Sequence, residues 1–115
     1  KQAKVYRDTH KEERKTYNQN WVKNNPKQYR DKQLQLKYGI NIDEYDSLRI
    51  DQNFSCAICF KHELELTRSL CVDHNHDTGE VRQLLCHNCN AALGMLKEDI
   101  TIVNSLLAYI KKHND

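Results

Sequence analysis

Four cysteines fall into two pairs, Cys56-x-x-Cys59 and Cys86-x-x-Cys89, and the 26 residues between the pairs carry the string Asp73-His74-Asn75-His76. Two residues between cysteines let a tight knuckle aim both sulfurs at one ion. Two such knuckles complete a tetrahedral Zn²⁺ shell, with bonds of about 2.3 Å. The Asp-His-x-His string adds a hard oxygen ligand to imidazoles, which titrate near neutral pH. Together these residues could build a zinc-stapled scaffold that holds a second, catalytic metal centre. The plainer alternative is that Asp73 is a turn or cap residue and that His74 and His76 are exposed loop histidines. Asn90, just after the last cysteine, is equally able to cap a helix.

The other candidate ligands carry less weight. His62 and His87 lie beside the cysteine pairs, but four thiolates already complete a zinc shell, so both read as solvent-facing or substrate-near. Cys71 stands between Leu70 and Val72 and reads as a small buried apolar side chain rather than a ligand or nucleophile. A disulfide framework is the rival to zinc. The odd total of five cysteines, four of them in metal-type pairs, favours reduced thiols in a reducing compartment.

These groups need elements to position them. Residues 69–73 read as a strand, Asp77-Thr78-Gly79 as a turn, and residues 80–85 as the returning strand. A helix should start near Asn88 and end near Gly94. On an extended chain, Asp73 and His74 point to opposite sides, so a bend must follow the strand if both are to meet one phosphate. Asn75 is placed to orient an imidazole. Asn41 caps a helix running to about Asp51, with Ile42, Tyr45, Leu48 and Arg49 on its inner face. Asp99 caps a last helix with an apolar face of Ile100, Val103, Leu107 and Ile110. Residues 1–38 read as helix or helix-prone arm, broken at Pro26 and closed by Gly39. Residues 64–67 read as a loop.

With 38% apolar and 30% charged residues and a mean hydropathy of −0.90, a 115-residue chain cannot bury an ordinary core. Metal or a partner must help. No apolar run approaches the ~18 residues of a membrane span, and the charged N-terminus is no signal peptide. The chain begins at Lys1 without Met and reads as a piece of a longer product. Its net charge of +2 hides an asymmetry. Residues 1–37 hold eleven Lys/Arg against four Asp/Glu, a balance of +7, and the remainder balances at −5. A basic arm interleaved with Tyr and Trp suits the backbone of duplex DNA. The candidate contacts are Lys4, Arg7, Lys11, Arg14, Lys15, Lys23, Lys27, Arg30 and Lys32. A solvated helix face with i,i+4 ion pairs is the alternative. Arg82, on the returning strand, could bind a phosphate or bridge to Glu80 or Asp77.

The stretch C-A-I-C (56–59), V-D-H-N-H-D-T-G-E-V-R-Q-L-L-C-H-N-C-N (72–90) and A-A-L-G (91–94) resembles the recombination endonuclease VII family of HNH, or ββα-metal, nucleases. The resemblance spans about residues 40–110. It implies an α+β fold, with residues 40–115 as a small zinc-bound ββα-metal core plus flanking helices, while residues 1–39 are the basic helical DNA-binding arm read above from their charge. It implies a metal-dependent DNA endonuclease. Asp73 and Asn90 would hold a divalent cation, Mg²⁺ or Mn²⁺, His74 would be the general base, and His76 would contact the scissile phosphate. Some members carry a glutamate three residues after that asparagine. Here Leu93 stands there, which leaves the ion fewer protein oxygens. DNA is the implied partner, with monomer and homodimer both open. A cytoplasmic setting, of phage or mobile-element origin, is typical of the family. The rival from another class is a non-catalytic zinc-ribbon module that only binds nucleic acid, and a third reading is a zinc-organised protein-interaction domain.

Overall fold

The computed structural model describes residues 10–114, which divide into two compact units, one ending at Glu44 and one beginning at Tyr45. In the first unit, α1 (Lys11–Asn24) and α2 (Pro26–Tyr38) are separated by Asn25 alone. The break has a local cause. The Asn25 N–H and its side-chain amide both bond the carbonyl of Trp21, each at 2.8 Å, which ends α1. Pro26, with its fixed φ and no N–H to satisfy, then opens α2. Gly39, at φ 72°, closes it by donating to the Gln35 carbonyl. Leu34 is the fully buried side chain of this unit. The expected Asn41 cap is present as a reciprocal pair. Asn41 Oδ1 accepts from the Glu44 N–H at 2.8 Å, and Glu44 Oε1 accepts from the Asn41 N–H at 3.3 Å. The helix they start is α3 (Ile42–Asp51).

The second unit has a very small core: Tyr45, Cys56, Leu70, Val72, Leu84, Leu85 and Cys86. Tyr45 is buried from α3 and donates its hydroxyl to the Leu70 carbonyl at 2.7 Å, which satisfies a polar tip that burial would otherwise penalise. A 3₁₀ turn (Glu63–Glu65) follows the first cysteine pair. Strands β1 (Cys71–His74) and β2 (Val81–Leu85) pair antiparallel, with Cys71 opposite Leu85, Val72 opposite Leu84 and His74 opposite Val81. The register slips between Val72 and His74, so Asp73 on β1 faces a two-residue step, Arg82 and Gln83, on β2. This bulge lies beside the candidate site, where such irregularities re-aim side chains.

Asn75 Oδ1 accepts from the backbone of Asp77 and Thr78 at 2.8 and 3.1 Å, and Gly79, at φ 77°, completes the hairpin turn. Helix α4 (His87–Met95) follows β2 directly, giving the strand–strand–helix order expected of the core. Asp99 Oδ1 accepts from Thr101 and Ile102 and starts α5 (Ile100–His113), as expected.

The apolar stripe on α5 is real, but it does not face a core. Ile100 is 75% exposed, and Val103, Leu107 and Ile110 lie between 39% and 49%. Among the described residues, no element covers it. Cys71, expected to be buried, is half-exposed at the start of β1.

Candidate metal centre and its cavity

The four paired cysteines converge. One sulfur from each of Cys56, Cys59, Cys86 and Cys89 lies within 4.8 Å of every other. A zinc–sulfur tetrahedron with 2.3 Å bonds has edges of about 3.8 Å. The Cys59–Cys86 sulfur separation is 3.7 Å, so the donor set fits Zn²⁺. All five cysteines are free thiols, and Cys71 stands apart from the cluster.

Each pair sits on a knuckle with its own backbone bonds. The Ile58 N–H points at Cys56 Sγ, and the Cys89 N–H points at Cys86 Sγ, both at 3.4 Å. The second contact makes Cys86 the N-cap of α4, so Asn90 is not the cap. Its own N–H bonds the Cys86 carbonyl at 3.0 Å, inside the first turn. The thiols are pulled apart electrically. Burial pushes Cys56 up, but backbone N–H groups of Cys59, Cys86 and Ile58 outweigh it and bring it down to about 6. Cys89 is pushed up by burial and by the hydrogens it shares with the other three sulfurs. Thiolates this close resist ionising together unless a cation joins them.

His62 and His87 stay out of the cluster. His62 Nδ1 accepts from the Leu64 N–H at 3.1 Å and caps the 3₁₀ turn, and His87 Nδ1 meets the Arg68 guanidinium at 3.4 Å.

The knuckles fasten to the hairpin through Leu84. The Ala57 N–H donates to the Leu84 carbonyl at 3.1 Å. Gln52, at the end of α3, acts as a short extra strand. Its carboxamide donates to the Leu84 and Ser55 carbonyls, both at 2.9 Å, and accepts from the Leu84 N–H at 2.8 Å. Sequence reading missed Gln52, because nothing in a lone glutamine signals that it pairs with a buried backbone.

The hairpin and α4 enclose a cavity of about 360 Å³ lined by Asp73, His76, Asn90, Leu93, Lys97 and Glu98, among others. Asp73 is the buried charged side chain of the core, 9% exposed. The carboxylate of Asp73 and the amide of Asn90 thus meet at one space from two elements. A carboxylate and an amide oxygen on a polar cavity suit a hard divalent cation that keeps most of its waters. His74 is not among the lining residues. Its ring packs against that of His76, with centroids 4.6 Å apart, and His76 reaches the cavity. Asn75 spends its side-chain oxygen on the hairpin turn.

Arg82 differs from the sequence expectation in its partners. Its guanidinium does not bridge to Glu80 or Asp77. It clamps both oxygens of Asp73, at 2.7 and 3.0 Å, and also bonds Glu98. Asp73 first, then Glu98, hold it charged above its ordinary range. The bulge explains the clamp, since it sets Arg82 opposite Asp73. Glu98 and Lys97 were not expected at the site. Both follow α4 in a turn whose left-handed backbone carries no glycine to announce it.

In the first unit, Lys11, Arg14, Lys15, Lys23, Lys27 and Lys32 are exposed and Arg30 is half-buried. Lys11, Arg14 and Lys15 share one face of α1 with Asn18 and Gln19. Lys4 and Arg7 lie outside the described residues. No helix among the described residues is long and apolar enough to cross a membrane.

Residues 31–112 match the model of the family described as recombination endonuclease VII. The chain belongs to the recombination endonuclease VII family. The "Gene 59 protein" of Mycobacterium phage D29 is 38% identical over 76 residues, 65% of this chain and 46% of that protein. The "Gene 59 protein" of Mycobacterium phage L5 is 39% identical over 74 residues, 64% of this chain and 44% of that protein. The chain therefore spans under half the length of these curated relatives. Among solved structures, the ββα-Me type II restriction endonuclease Hpy99I matches with a TM-score of 0.47 and 31% identity, over 59% of this chain and 42% of that one.

Proposed function

We propose that this endonuclease VII family chain is a metal-dependent DNA endonuclease that hydrolyses phosphodiester bonds with one divalent cation, Mg²⁺ or Mn²⁺. The observation that carries the reading is the shared cavity. Asp73 from β1 and Asn90 from α4 line one polar space, with His76 beside them and a four-thiol cluster bracing the same hairpin and helix. Family membership supports it independently.

A divalent cation held by Asp73 and Asn90 would supply charge stabilisation for a phosphate oxygen and for the departing 3′ oxygen. His74 takes a proton from the attacking water, and that oxygen bonds to phosphorus as the P–O3′ bond breaks and the 3′ oxygen leaves, taking its proton from solvent. The products carry a 5′-phosphate and a 3′-hydroxyl. His76, in ring contact with His74 and on the cavity wall, contacts the scissile phosphate. Lys97 adds a positive charge on the same wall. Arg82, held by two carboxylates, orients Asp73 in this reading instead of gripping DNA. The exposed Lys and Arg of α1 and α2 take the phosphate backbone.

The test is plasmid cleavage in Mg²⁺ or Mn²⁺. The parent should nick or linearise supercoiled DNA. His74→Ala should keep zinc and fold but lose at least ~100-fold in rate, the usual weight of a general base. If His74→Ala cuts like the parent while His76→Ala does not, the base is His76. A parent that shifts DNA on a gel but never cuts it, in any divalent metal, is a binding module and not a nuclease.

A further inference from the structure

We propose that Glu98 is a positioning residue of the divalent-cation site, acting on Asp73 through Arg82. The inference rests on the reading above that Asp73 holds the cation. Arg82 bonds both Asp73 oxygens, Nε to Oδ2 at 2.7 Å and Nη2 to Oδ1 at 3.0 Å. A bidentate guanidinium fixes the plane of a carboxylate and uses one lone pair on each oxygen, leaving the others for a cation. That orientation has an electrostatic cost. A guanidinium alone would cancel the charge that draws a divalent ion to Asp73. Glu98 offsets it. The same Nη2 also bonds Glu98 Oε1, so two carboxylates share one guanidinium and the trio keeps a net negative charge. Orientation and attraction are thus separated: Arg82 supplies the first and Glu98 preserves the second.

A second observation points to the same residue. Lys97 and Glu98 both have φ of 54°, in the left-handed region that side-chain-bearing residues avoid. The Glu98 N–H bonds the Leu93 carbonyl at 3.2 Å, so the chain folds back over the end of α4. This turn sets both side chains on the cavity wall. The backbone tolerates two strained residues in succession where an extended exit from α4 would carry Glu98 away from Arg82.

Mn²⁺ is titrated into the zinc-loaded full chain without DNA, at low ionic strength, and the free ion is followed by its electron paramagnetic resonance signal. Glu98→Gln should weaken Mn²⁺ binding by roughly three- to tenfold, because the guanidinium then opposes the ion uncompensated. The deficit should shrink as salt rises. Glu98→Asp should recover most of the affinity. The double variant Arg82→Gln/Glu98→Gln should bind within about twofold of the parent, since removing both charges frees Asp73 of the guanidinium and costs only its fixed orientation. A residue that merely props the turn would leave the double variant as weak as Glu98→Gln. That result, or parental binding by Glu98→Gln, overturns the proposal. Asp73→Asn separates the two levels. If it binds Mn²⁺ like the parent, Asp73 is no ligand and both readings fall. If it abolishes binding while Glu98→Gln changes nothing, only the role of Glu98 is lost. Circular dichroism and zinc content, held equal across the variants, keep folding out of the comparison.

Discussion

At the scale of single residues, the site depends on side chains that stand in for backbone. Gln52 is the clearest case. Leu84 is fully buried, yet both its N–H and its carbonyl take their partners from the Gln52 carboxamide. A two-stranded sheet has two open edges, and here a glutamine closes one of them. The carbonyl keeps a second donor, the Ala57 N–H, whereas the Leu84 N–H donates to the glutamine oxygen. Gln52→Met preserves length and removes both bonds to Leu84 together with the one to the Ser55 carbonyl. It should cost about 1–3 kcal/mol, the penalty of orphaning a buried donor. Urea unfolding of the zinc-loaded chain checks this, and a loss below ~0.5 kcal/mol would mean that water replaces the amide. The loss should appear in stability rather than in cation binding, because Gln52 does not line the cavity of Asp73 and Asn90.

At the scale of elements, the legible parts were those announced by local chemistry. Pro26, Gly39, Asn41 and Asp99 each mark a helix end by a bond or a φ that few residues supply, and all four sit where the sequence placed them. The cysteine spacing gave the thiol cluster for the same reason. What stayed hidden depends on tertiary register. The bulge opposite Asp73, the Arg82 clamp and the strained turn at Lys97 and Glu98 leave no mark in composition or period. The stripe on α5 misled in the opposite way, since periodicity shows that a face is apolar and not that anything covers it.

The link between α3 and the 3₁₀ turn is another register effect, and it has a pH consequence. Arg49 donates to Glu63 at 2.9 Å and to Asp46 at 2.8 Å, and this pairing with Arg49 lowers the Glu63 pKa from 4.5. A depressed carboxylate contributes stability above its unfolded value and loses it as the pH falls through its folded one. The pair is only partly buried, so its share is about 0.5–1 kcal/mol. Glu63→Gln should therefore be less stable than the parent by that amount at pH 6. The gap should narrow as the pH drops below 4.5, as thermal melts of the two proteins compared at each pH would reveal. A gap that widens in acid would contradict the sign.

At the scale of the whole molecule, charge is divided along the chain. The +7 balance of residues 1–37 stands against −5 for the rest, and the acidic share includes the carboxylates proposed to work on a cation. In the proposed reading, such a division assigns two opposed tasks to different stretches of the chain. Holding a polyanion wants exposed cations, whereas holding a divalent ion wants carboxylates that DNA would repel. The helices of the first unit suit the former task. Lys11, Arg14 and Lys15 share an exposed face of α1, where each phosphate contact would release a counterion. Replacing all three with Gln should therefore flatten the dependence of DNA affinity on salt. The slope of log K against log salt should become less negative by up to about 2.7 if all three touch phosphates, because each contact contributes about 0.9. The loss should be similar on unrelated duplexes, since phosphate contacts carry no sequence information. Cleavage at saturating protein should stay near the parental rate, because these side chains do not line the cavity proposed to hold the cation. An unchanged slope would return α1 to the role of a solvated helix, and a collapse of the saturated rate would place the arm in catalysis as well as in binding.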